Sequence, residues 1–375
     1  MPGPGRTGRF AELDGLRGIA ILLVVLGHSF YINPNRGAIT RFIGGVMDGG
    51  AWGVTLFFAL SGFLIALPFW RQKLEGRNEA VPSRYGWTRF WKIYPPFALS
   101  ILVLAPIYVA RTGHGSYLTV AAQWLAGWPL VHPVNGQFNP VLWTLIIEVH
   151  FYLLMPLLFV ALKKVSYRSS LWIVFLVVGL GPLACRWWYL GQGRFLRLEP
   201  EISVLFPSQL DSFAGGVLLA GIHAAGRVKK SWARLGTGGC LLFLLAVLVR
   251  GGIWVRPLPD AHYLWEVLGC LAKIASGLML CCVCDPDCLP SRLLAAPWLR
   301  WFGLISYEWY LIHQPLTLWA RELGGPAGGQ WTKYLFIIGG SGLLGLVLAA
   351  LFYRYFSLPI LRWARARACP GREVS

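Results

Sequence analysis

The chain has 375 residues, of which 56% are hydrophobic and only 13% charged, and its formal net charge is +18. Its mean hydropathy of +0.56 and its repeated apolar runs exclude an ordinary soluble domain and predict an all-α, polytopic membrane bundle. The positive charge does not indicate nucleic acid, because the basic residues sit in short loops between apolar runs, where they set topology and meet anionic headgroups.

At the start, Arg6 and Arg9 precede a long apolar run without a small-residue cleavage pattern, which predicts a retained signal-anchor helix. Ten segments then read as transmembrane helices, near 13–33, 52–70, 89–110, 143–162, 170–190, 205–225, 235–255, 262–285, 301–320 and 332–356. Between the third and fourth, Tyr117 to Val131 is apolar but short and proline-flanked, so the stretch 112–140 reads as re-entrant or interfacial. With the N-terminus inside, Lys and Arg favour the inner loops by roughly two to one, which predicts both termini in the cytoplasm and a multi-pass protein of the cell membrane. No linker, charged block or internal repeat is visible, so residues 1–375 read as one membrane domain with no fused outer domain.

Polar groups inside the apolar segments carry the functional argument. Arg17 and His28 lie on the first segment. Their spacing is about three helical turns, so they share one face roughly 16 Å apart along the axis. Such residues are expensive in a bilayer and mark a polar cavity, a pathway or an active site. Helix register places His28, Glu148, Asp211 and His313 in one layer in the outer third of the membrane. Taken singly, each has a structural alternative; His28 alone could be a core histidine bonded to a carbonyl. His150 lies about 200° around the helix from Glu148 and reads as structural. Lys273 and Glu308 read as a structural ion pair. On the inner side Arg84, Arg89 and Lys92 precede Tyr94. Such a run orients a loop, or with Arg17 clamps a polyphosphate whose extended arm climbs towards His28, as coenzyme A would. Cys281, Cys282, Cys284 and Cys288 lack paired metal-ligand spacing and read as structural or lipidated, so no metal centre is expected. Ser61 lacks a nucleophile elbow and reads as a packing serine.

These segments resemble the membrane acyltransferase family 3, the O-acyltransferases of polysaccharides, lipid-linked sugars and some macrolides. The resemblance rests on LDGLRGIAILLVVLGH at 13–28, FFALSGFLI at 57–65, RFWKIYPPF at 89–97, WTLIIEVHFYLLMP at 143–156, LDSFAGG at 210–216 and ISYEWYLIHQPL at 305–316. It implies an essential His28, donor binding by Arg17 and the Arg89 region, and a supporting acidic role for Glu148. Two departures stand out. Lys92 replaces the second arginine of the family's RxxR pair, and Val149 and His150 replace the second acid and the glutamine after Glu148.

The resulting expectation is acyl transfer from acyl-CoA, with acetyl-CoA as donor, to a hydroxyl of a glycan, lipid-linked sugar or macrolide. His28 and Glu148 are the expected catalytic pair, with His28 as general base. Arg17, Arg84, Arg89 and Lys92 are assigned to the donor, and Asp14, Trp143, Tyr152, Asp211 and His313 to the acceptor. A proton-coupled transporter is the alternative class, since it too would hold His and Glu within the membrane.

Overall fold

In a computed structural model the described residues are 10–29, 37–77, 81–82, 84–113, 116–117, 139–191, 206–255, 261–323 and 330–368, and their regular structure is entirely helical. Each of the ten expected segments coincides with a helical stretch. Seven stretches are long and apolar enough to cross a membrane: Ala38–Leu74, Tyr85–Thr112, Pro140–Ala161, Tyr167–Arg186, Lys230–Val255, Leu264–Cys284 and Leu335–Arg367. The remaining three, Ala11–Ser29, Asp211–Ala224 and Pro297–Glu322, are short or carry several polar residues. The stretch read as re-entrant lies almost wholly outside the described residues.

The structure differs from the sequence expectation at several boundaries. The second segment starts much earlier, with a helix at Ala38–Asp48, a 3-10 turn at Gly49–Trp52 and then the helix Gly53–Leu74. A short helix, Leu289–Leu294, intervenes before Pro297. The last segment continues past 356 as the helix Leu358–Ala368. Six-residue π turns interrupt the segments at Phe175–Leu180 and Ile338–Leu343; the second holds Gly339, Gly340 and Gly342, residues that favour such irregularity.

Large side chains on the outside follow helical spacing. Leu153, Leu157 and Val160 are 51%, 69% and 54% exposed, and Leu241, Leu244, Leu245 and Leu248 form a second stripe. Contiguous apolar stripes of this kind suit lipid and not water.

The chain forms two compact units. One comprises Met1–Trp70, Leu171–Leu183 and Leu210–Ser306; the other comprises Arg71–Ser170, Ala184–Gln209 and Tyr307–Ser375. The first is held by backbone-close crossings at glycines. A Cβ at Gly216 would lie 2.0 Å from the Ala59 carbonyl oxygen, and one at Gly62 would lie 2.4 Å from that of Phe213. Without a hydrophobic force between helices in lipid, such small-residue seams supply the dispersion contacts that hold them together. Leu16, Ile21, Leu56, Phe63 and Phe213 fill the core around these seams.

The second unit uses a different device. Proline within a helix leaves the carbonyl four residues earlier without its backbone donor, and in lipid that oxygen needs another partner. Pro156 frees the carbonyl of Tyr152, which accepts a hydrogen bond from the Tyr85 hydroxyl at 3.1 Å. Pro315 frees that of Leu311, which accepts one from Asn139 Nδ2 at 2.9 Å. Lys73 Nζ donates to the carbonyls of Leu162 and Val165 at 2.6 and 2.7 Å, which satisfies the end of the Trp143–Ala161 helix and complements its dipole.

Candidate active site

In the first unit the site residues lie on Ala11–Ser29, an unbroken α-helix, so the common face inferred for Arg17 and His28 holds. Its first turns are locked in place. A Cβ at Gly15 would lie 1.8 Å from the Leu294 oxygen, one at Gly18 2.1 Å from that of Leu299, and one at Gly303 1.9 Å from that of Asp14. Asp14 is buried in this seam and Arg17 is half-buried. Asp14 therefore sits where helix packing, not ligand access, dominates.

His28 stands in the last turn, half-buried, with Nδ1 2.9 Å from the carbonyl oxygen of Val24. A carbonyl only accepts, so Nδ1 carries the proton, and the lone pair of the neutral ring resides on Nε2. The neighbouring Ser29 hydroxyl is likewise turned back, onto Val25 at 2.7 Å. A Cβ at Gly27 would lie 2.9 Å from the Met47 oxygen, so the 3-10 turn after Asp48 abuts this end of the helix.

Asp211, also of the first unit, accepts a hydrogen bond from Lys273 Nζ at 2.8 Å, with both side chains 11% exposed. This corrects the expected Lys273–Glu308 pair: the carboxylate that meets Lys273 belongs to Asp211. Glu308 lies elsewhere, buried at 3% exposure in its own helix. Depth alone could not decide between carboxylates. Burial with a lysine gives Asp211 a packing role in addition to the acceptor role expected for it.

The second unit gathers Glu148, Tyr152 and Arg89. The Tyr152 hydroxyl donates to Glu148 Oε1 at 2.5 Å, a short charge-assisted bond. The Arg89 guanidinium sits 5.6 Å from the centre of the Tyr152 ring, in cation–π range. The Glu148 carboxylate also acts electrostatically on Tyr85, Tyr307 and Tyr310. The Tyr307 hydroxyl donates to the Ile93 carbonyl at 2.9 Å, and the Tyr310 hydroxyl lies 2.7 Å from Thr144 Oγ1. Sequence reasoning missed Tyr85, Tyr307 and Tyr310. The usable signal was Pro156, which marks the Tyr152 carbonyl as needing a donor.

The other expected residues are distributed as follows. Trp143 opens the Trp143–Ala161 helix and is half-buried, five residues before Glu148. His313 is 1% exposed, and its Nδ1 donates to the Tyr310 carbonyl at 2.8 Å; it is a packed core histidine. Arg84 is exposed and adopts a left-handed backbone, φ 63°, at the start of the Tyr85–Thr112 helix. Among described residues it is the one non-glycine in that region, and such a conformation costs about 1–2 kcal/mol. Among described residues no group of three or more His, Cys, Asp or Glu is placed to hold a metal.

Lipid-facing stripes and seven membrane-length helices, with buried polar groups among them, define a multi-pass membrane protein. Residues 10–354 match the acyltransferase domain family, and the chain belongs to it. The peptidoglycan O-acetyltransferase OatA of Listeria monocytogenes is 25% identical over 386 residues, covering 95% of this chain and 57% of the relative. The putative peptidoglycan O-acetyltransferase YrhL of Bacillus subtilis is 24% identical over 401 residues, covering 93% and 54%. The O-acetyltransferase OatA of Staphylococcus aureus is 23% identical over 377 residues, covering 93% and 56%. The chain thus spans little more than half the length of these curated relatives. No solved structure matches it.

Proposed function

We propose that the chain is a plasma-membrane O-acyltransferase that moves an acyl group, acetyl in the simplest case, from acyl-CoA to a hydroxyl of a glycan. The observation that carries this reading is the His28 imidazole, whose Nδ1–H is turned back onto its own helix at 2.9 Å, leaving the basic lone pair on Nε2. An imidazole in that tautomer is a general base. Nε2 removes the acceptor hydroxyl's proton as its oxygen attacks the thioester carbonyl. The tetrahedral intermediate collapses with loss of CoA thiolate, and the imidazolium returns the proton to that sulfur. The names of the relatives favour peptidoglycan as the glycan class.

Arg17, Arg84 and Arg89 are assigned to the donor, since guanidinium groups fit phosphate bidentately, and Lys92 contributes a point charge. Glu148 has the supporting acidic role, its carboxylate fixed by Tyr152.

The test is CoA release and acceptor mass spectrometry with purified protein, mixed acyl-CoAs, and glycan or macrolide acceptors. His28→Ala should lose about 10²–10⁴ in transfer rate while still binding CoA. Turnover near that of the unmodified protein would overturn the assignment, acylation of macrolides alone would replace the glycan acceptor, and transport without CoA release would replace the reaction.

A further inference from the structure

In the second unit, the helix Leu358–Ala368 packs on the start of Tyr85–Thr112, where the Trp87 indole N–H donates to the Ala364 carbonyl at 3.2 Å. Trp363 completes the seam, 4.8 Å from Trp91 and 6.1 Å from Trp87, ring centre to ring centre. Ala364 is buried against this seam. Arg362 lies about 200° around the helix from it and so faces outward, with Arg365 beside it. Both are exposed, as is Arg367. The Arg367 guanidinium lies 4.7 Å from the centre of the Trp363 ring, which orients its planar N–H fork.

The charge on this surface is unbalanced. Residues 80–147 and 323–372 contain no Asp or Glu, so neither helix offers these arginines a carboxylate, and Glu148, the first acid that follows, is engaged by Tyr152. At the far end of Tyr85–Thr112 the opposite holds, and Arg111 pairs with Glu322 at 2.6 Å. Position identifies the missing anion. The stretch Leu335–Arg367 has 33 residues, about 50 Å of helix, more than a ~30 Å hydrocarbon layer needs. Its first charged residue is Arg354, so the arginine-bearing end is the one that stands among headgroups. Trp87 and Trp363, each 39% exposed, are amphipathic rings that favour that level. On the same stretch Leu344, Leu348, Leu351 and Tyr355 are exposed, so an apolar track runs up to the arginines. A soluble phosphate would use the arginines alone; a molecule with an anionic head and acyl chains uses both.

We propose that Arg362, Arg365 and Arg367, with the Trp87 and Trp363 indoles, bind the headgroup of an anionic phospholipid whose acyl chains lie along the track from Leu344 to Tyr355. The guanidinium groups meet its phosphate through charge-assisted hydrogen bonds. The lipid pins the end of one helix to the start of the other, and the site stands whatever group the protein transfers. The experiment is native mass spectrometry of the detergent-purified full chain titrated with phosphatidylglycerol, with phosphatidylcholine and, separately, with CoA. Phosphatidylglycerol should bind about tenfold more tightly than phosphatidylcholine. The triple variant Arg362→Gln, Arg365→Gln, Arg367→Gln should lose that preference and keep its CoA affinity. A control triple variant, Lys229→Gln, Lys230→Gln, Arg234→Gln, removes the same charge from exposed positions of the first unit and should retain the preference. Should the arginine triple variant not fold, Arg362→Gln alone should weaken phosphatidylglycerol binding severalfold and carries the test. Equal binding of the two lipids by the unmodified chain, retention of the preference by the arginine variant, or equal loss in both triple variants would each overturn the proposal. Parallel loss of CoA binding would overturn it too, by making the donor's phosphates the occupant.

Discussion

The Asn139–Leu311 contact offers a quantitative test of how the second unit is held together. Pro315 cannot donate to the Leu311 carbonyl, and Asn139 Nδ2 takes its place at 2.9 Å. Leu311 is 0% and Asn139 1% exposed, so no water can substitute. Hydrogen bonds between membrane helices average about 0.6 and reach about 1.7 kcal/mol. Full burial puts this one near the upper end. Against that, Asn139 Oδ1 is itself buried without a partner, so truncation relieves one unsatisfied atom while creating another. Asn139→Ala should therefore destabilise by about 1 kcal/mol net. In a Pro315→Ala background the alanine N–H can satisfy Leu311, and the same change should cost less than about 0.5 kcal/mol. Equilibrium unfolding of all four proteins in mixed micelles gives the cycle. Equal costs of Asn139→Ala in both backgrounds would refute the proline-compensation argument.

Three further outcomes follow from the contacts described. Gly303→Leu, which must displace the Asp14 carbonyl, should destabilise the protein by about 3 kcal/mol or more; an unchanged melting temperature in detergent would contradict the close crossing. Arg17→Ala and Arg89→Ala should each weaken CoA binding by about 1.5–3 kcal/mol, and unchanged calorimetric affinity in both would remove the phosphate clamp. Tyr152→Phe, which deletes the donor to Glu148, should slow transfer about tenfold with little change in CoA affinity; an unaltered rate would show that Glu148 needs no fixing.

The helices themselves were legible because apolar runs of membrane length have few other fates. What escaped was local. Ala38–Asp48 holds Arg41, Gly44, Gly45 and Asp48, a composition that reads as a loop. It is a helix, and its Gly45 closely meets Gly251, a contact that resides in a distant segment. Arg17 and His28 could be placed on one face because a single helix fixes their relation. The partner of Lys273 could not be chosen, since Asp211 and Glu308 lie on different helices and only packing decides which is near. The tyrosines around Glu148 were hidden for the same reason, though Pro156 signalled one of their hydrogen bonds.

The division between seven apolar stretches and three polar ones bears on how the protein is made. Asp211–Ala224 has 14 residues and is preceded, across Leu210, by the one-turn helix Phe206–Gln209, so this stretch is at the short end of what spans a ~30 Å hydrocarbon layer. Pro297–Glu322 carries Glu308 and His313, and a charge at mid-helix costs about 2.5–3.5 kcal/mol on insertion scales. Segments of this kind leave the translocon poorly when they must partition alone, and do so better when apolar helices already inserted offer their seams. The glycines that Ala11–Ser29 packs against belong to later segments, Gly50 and Gly53 among the earliest. The buried polar residues of these segments thus make assembly of the bundle a cooperative event, in which the less apolar helices are seated by their neighbours rather than by the lipid.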